Sequence, residues 1–106
     1  MHNIISFEFA SAGEIRMALA ERLKAVRLAQ NMQQSELAAA AGVARGTLQN
    51  LESRAQCSLD SFVRIAMALG VAADLEAVFA RRPTSIAEME KAAKPIRRRA
   101  SSRGVR

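Results

Sequence analysis

Between Leu37 and Leu51 two short apolar helical patterns follow one another with almost no chain between them. Leu37, Ala38 and Ala41 make the first, which ends at Gly42, and Leu48 and Leu51 make the second, which starts after only Val43 and Ala44. Glycine reaches the left-handed backbone region at little cost, so it can stop one helix and redirect the chain at once. Two short helices joined by such a turn form a helix-turn-helix, whose second helix can enter the major groove of DNA. At about 100° per residue, Leu48 and Leu51 fall on one side of that second helix, and Arg45, Gly46, Gln49 and Asn50 fall on the other. One side suits a core. The other offers a guanidinium matched to guanine O6 and N7, amides matched to adenine N6 and N7, and a glycine that lets the backbone come close.

The flanking sequence supplies the helices such a pair must pack against. Ser11 and Glu14 have capping-box spacing and predict the start of a long first helix, along which Ile15, Leu19, Leu23 and Val26 make one apolar stripe beside Arg16, Lys24 and Arg27. Asn31 suits the left-handed turn at its end. Ser58 predicts the cap of a fourth helix with Leu59, Phe62, Val63, Ile65, Ala66 and Leu69 inside it and Gly70 as its stop, and Leu75, Val78 and Phe79 mark a fifth. With 22 alanines, four phenylalanines and neither tryptophan nor tyrosine, the composition favours close-packed helices over a β-sandwich. The expected fold is therefore all-α, with five helices in a single domain over residues 11–80. Residues 1–10 read as an N-terminal arm, because Ile5, Phe7 and Phe9 alternate with Ser6 and Glu8 as in a short strand or extended segment. Such an arm could pair with its equivalent in a dimer mate. Residues 81–106 read as a basic C-terminal extension: Pro83 breaks the chain, Ser85 and Glu88 predict a short polar helix over Ile86–Ala93, and Arg97–Arg106 is a flexible, serine-rich tail.

Charge is unevenly distributed, and the imbalance limits what the net +6 can mean. Residues 1–80 hold seven Lys or Arg against eight Asp or Glu, a balance of −1, whereas residues 81–106 hold nine against two, a balance of +7. A globally basic surface does not follow from the total. Within the body, the stretch from Arg16 to Arg54 is locally positive. One cysteine, Cys57, and one histidine, His2, cannot build a disulfide framework, a zinc site or a Ser-His-Asp triad, so no enzymatic activity and no cofactor is expected. Cys57 has a redox-sensor reading if its thiol is acidified, beside the simpler reading of an incidental cysteine. The longest run without a polar side chain, Ile65 to Ala73, is about half the roughly 18 residues of a membrane span. No basic residue precedes an apolar run at the start, so a cytoplasmic location is expected.

In order and spacing the chain resembles the lambda-repressor-like helix-turn-helix regulators of the Cro/cI or xenobiotic-response-element type. The resemblance covers about Leu19 to Val71 and is carried by Leu23-Lys24-Ala25-Val26-Arg27, Gln34-Ser35-Glu36-Leu37-Ala38, Ala41-Gly42-Val43, Thr47-Leu48, Leu51-Glu52, Ile65-Ala66 and Ala68-Leu69-Gly70-Val71. It implies a recognition helix from Arg45 to Glu52, with Ala44, Arg45, Gly46, Gln49 and Asn50 at base-contacting positions and Gln34, Thr47 and Arg54 against the DNA backbone. It also implies an internal salt bridge between Arg27 and Glu52. Gln33 and Ala44 depart from the family, which has Ser or Thr just before the second and third helices; each missing cap costs roughly 1 kcal/mol.

These readings lead to a sequence-specific regulator of double-stranded DNA, an autorepressor that binds a palindromic operator as a homodimer through Leu75, Val78 and Phe79. Chain size and the basic extension also resemble HipB-like antitoxins, small repressors encoded beside HipA-like kinase toxins. In the alternative reading the chain is a protein-interaction module that neutralises such a kinase, with DNA binding secondary.

Overall fold

The computed structural model describes residues 6–81, which form four α-helices and two short 3-10 turns. The helices are α1 (Ala12–Ala29), α2 (Gln34–Ala41), α3 (Arg45–Arg54) and α4 (Leu59–Ala68). Each begins where local chemistry allows. The Ser11 hydroxyl accepts the Glu14 N–H at 3.1 Å while the Glu14 carboxylate accepts the Ser11 N–H at 2.9 Å, and the Ser58 hydroxyl accepts the Ser61 N–H at 3.0 Å. At α2 the Glu36 carboxylate accepts the Gln33 N–H at 2.8 Å, so this start is not without a cap. Ala44 makes no side-chain cap at α3. The turns between helices use the left-handed region at Asn31 (φ 57°), Gly42 (φ 71°) and Gly70 (φ 79°). Ala55, which ends α3, also sits there at φ 55°, and its methyl is buried in the core, so packing offsets a conformation that ordinarily disfavours a Cβ.

Leu37, Leu48 and Ile65 are the largest fully buried side chains, one each from α2, α3 and α4. Ala20 and Leu23 of α1, Ala38 and Ala41 of α2, Leu51 of α3 and Ala66 and Leu69 around the end of α4 complete the core. The alanines let the helix axes approach closely, which is what an alanine-rich, aromatic-poor sequence can build. The Gln30 amide donates to the Leu69 carbonyl at 2.8 Å, joining the ends of α1 and α4 through an acceptor the helix leaves free.

Two expectations need correction. Phe7–Phe9 form a 3-10 turn, not a strand; with no strand among the described residues to bond to, the Phe9 N–H bonds the Ser6 carbonyl at 3.2 Å and the Phe7 ring lies 5.2 Å under the Arg22 guanidinium. The fifth helix is a 3-10 turn over Ala72–Leu75 followed by further turns, held by short-range bonds from Asp74 to Val71, Glu76 to Ala73 and Val78 to Leu75. Three apolar residues clustered at its end do not make a stripe long enough to sustain an α-helix. Leu59 lies in the fourth helix as its pattern predicts, and is 77% exposed at the first turn. No helix among the described residues is long and apolar enough to cross a membrane. Ile5 of the arm, the Ile86–Ala93 helix and the Arg97–Arg106 tail lie outside the described residues.

Candidate nucleic-acid interface

α2 ends at Ala41 with Gly42 as its cap and α3 starts at Arg45, so the two short helices pack as a unit on α4 and α1. Burying Leu48 and Leu51 fixes the rotation of α3 and turns Arg45, Gly46, Gln49 and Asn50 to solvent, with Ala44 exposed just ahead of them. The exposed side of α3 carries no carboxylate; its one acid, Glu52, points inward and is paired. Arg54 is exposed at the far end, and Thr47 is half-buried between the two sides. A surface of amides, one glycine and flanking guanidiniums can come against phosphates without repulsion and still present groups able to read base edges.

A polar cluster behind α3 sets its orientation. Arg27 of α1 donates from Nε to one Glu52 oxygen at 2.7 Å and from Nη2 to the other at 2.9 Å, a two-pronged bond, and from Nη1 to the Met32 carbonyl at 2.7 Å. The Gln34 amide of α2 donates to the same carboxylate at 2.9 Å. Three elements thereby meet on one carboxyl group. The Arg27 and Glu52 side chains are 9% and 5% exposed, so the pair is withdrawn from water and its geometry is demanding. Burial pushes the Glu52 carboxyl up; the hydrogen bonds from Arg27 and Gln34, with the charges of Arg27 and Lys24, outweigh it and hold the group below its ordinary value.

The residues singled out in sequence thus separate into two sets. Ala44, Arg45, Gly46, Gln49 and Asn50 share one exposed side, while Arg27, Glu52 and Gln34 join behind it. Gln34, expected against phosphate, gives one amide hydrogen to Glu52 and keeps the other, along with the free N–H groups of the first turn of α2. Its internal bond, the Met32 carbonyl and the Lys24 charge had no signal in the spacing. The Glu36 cap did have one: Gln33 and Glu36 are separated as in a capping box. At Cys57 burial raises the thiol above its ordinary value, against a smaller lowering from a Phe62 backbone hydrogen bond, which is the reverse of the acidified thiol a redox sensor needs.

Gly46 is set on the exposed side with no atom within 4 Å of where a Cβ would stand. The fold does not need a glycine there. Gly46→Ala is expected to raise the unfolding free energy by about 0.8 kcal/mol, the helix-propensity difference, in urea denaturation while weakening binding to DNA in anisotropy titrations. Unchanged binding would mean that the backbone at Gly46 does not approach the DNA.

A family model described as helix-turn-helix matches residues 23–75, half of the chain. No curated protein matches it.

Proposed function

The chain belongs to the helix-turn-helix family of DNA-binding regulators, and from that premise we propose that it is a sequence-specific repressor of its own gene that binds a palindromic operator as a symmetric homodimer. The observation that carries the reading is the exposed side of α3, where Arg45, Gly46, Gln49 and Asn50 stand together opposite the buried Leu48 and Leu51. In this reading Arg45 grips a guanine, Gln49 and Asn50 pair with adenine or bridge to neighbouring bases, and the Ala44 methyl meets a thymine methyl. Gln34, Thr47 and Arg54 bind phosphate and fix the register without specifying sequence. The protein needs no cofactor and performs no catalysis. In this reading two chains pair through Leu75, Val78 and Phe79 and present both recognition helices to successive major grooves.

Hydroxyl-radical footprinting on the DNA upstream of the gene tests this directly. Two protected half-sites related by symmetry, about 10 base pairs apart centre to centre, are the expected result. A single protected site, or uniform protection, would remove the dimeric operator reading. A second role, restraint of a HipA-like kinase, is favoured by the basic stretch of residues 81–106, with nine Lys or Arg against two acids. Co-purification with the product of an adjacent kinase gene is the result it requires.

A further inference from the structure

A groove of about 270 Å³ opens between α1, α4 and the turn after α4, walled by Leu19, Leu23, Phe62, Ala66, Val71 and Leu75. Arg22, Asp74 and Val78 also line it. No residue of α2 or α3 lines it. Immediately beyond Val78 the chain turns left-handed at Phe79, φ 60°, and holds that ring 92% exposed. Bulky side chains are seldom found in that backbone region, and a large apolar ring in water gains nothing from its own chain.

We propose that Phe79 of one protomer seats in this groove of a second copy of the chain and that the second copy returns the same contact. The inference rests on the symmetric-dimer reading given above and names its interface. A projection beside a hollow on the same surface is self-complementary under a two-fold axis, which converts one contact into two. Size agrees: an apolar cavity of about 150 Å³ already holds a benzene ring. Charge agrees as well. Arg22, whose guanidinium stands over Phe7, and Asp74 both line the groove and neither is in a salt bridge among the described residues, so each copy offers the other both signs of charge. A buried phenylalanine covers about 150–250 Å², so two rings supply part of the roughly 1,200–2,000 Å² a stable interface needs. Val78, 49% exposed, adds to the same contact. The recognition side of α3 stays open.

Sedimentation equilibrium of the full chain and its variants tests the proposal. Phe79→Ser is expected to weaken dimerisation at least about 30-fold, as loss of a central aromatic anchor does, with the helical circular-dichroism signal unchanged because the ring is exposed. Arg22→Glu and Asp74→Arg should each weaken association, and the double variant should restore it. In a mixed isotope-labelled sample of the unaltered protein, intermolecular nuclear Overhauser contacts are expected from the Phe79 ring to the Leu19 and Val71 methyls. A dimer that ignores all three changes and lacks these contacts would overturn this interface while leaving the dimeric repressor standing. A monomer at every concentration, with and without operator, would overturn both.

Discussion

Glu52→Ala is expected to destabilise the protein by about 3 kcal/mol or more, the usual cost of leaving one member of a buried ion pair alone. The reason lies in what shares that carboxylate. Both Arg27 prongs and the Gln34 amide end on it, so its removal leaves a guanidinium in a site 9% open to water with only the Met32 carbonyl to bond. Urea denaturation at neutral pH gives the value; a loss under 1 kcal/mol would show that the cluster is not withdrawn from solvent. Acid should reproduce part of the effect in the unaltered protein. Because the folded carboxyl titrates below its ordinary value of 4.5, the unfolded chain takes up its proton first. The stabilisation is complete above that ordinary value, declines as the pH falls below it and is gone once the folded value is passed. Glu52→Gln should flatten this acid limb, and a limb of unchanged slope would assign it to other carboxylates.

Arg45→Ala is expected to cost about 1–3 kcal/mol of operator binding and to relax preference at one base pair of each half-site. Arg45 opens α3, is exposed and is in no salt bridge among the described residues, so its removal should leave stability nearly unchanged. That separates it from Glu52, whose variants should lose folding and binding together. Fluorescence anisotropy on operator variants changed one base pair at a time distinguishes base reading from charge. Equal losses on operator and random DNA would make Arg45 a phosphate contact and move recognition to Gln49 and Asn50.

Much of this arrangement is legible in the sequence because it rests on local rules. Capping boxes, the left-handed turns at Asn31 and Gly42 and the two-sidedness of α3 each need only a few adjacent residues to be read. The segments that differ depend on what lies beside them in space. Ile5, Phe7 and Phe9 alternate like a strand, but a strand needs a partner, and Phe7 instead finds the Arg22 guanidinium of α1. Leu75, Val78 and Phe79 suggest a helix, but the turn they occupy lacks the length to sustain one. The buried methyl of Ala55 in a left-handed turn follows no local preference; the core packed around it decides it. The Arg27–Glu52 pair could be named from the family resemblance, whereas the Gln34 bond that completes it depends on the angle between α2 and α3 and has no trace in spacing.

In the proposed function the exposed side of α3 reads base sequence. Anisotropy titrations of the full chain against DNA from upstream of its own gene and against a shuffled duplex of equal length and composition, each across a salt series, test it most directly. A preference for the upstream duplex of at least about 1,000-fold, as specific regulators show, is expected to persist as salt rises. Equal affinity for the two duplexes, falling away together with salt, would contradict it and leave the basic residues 81–106 as the source of binding.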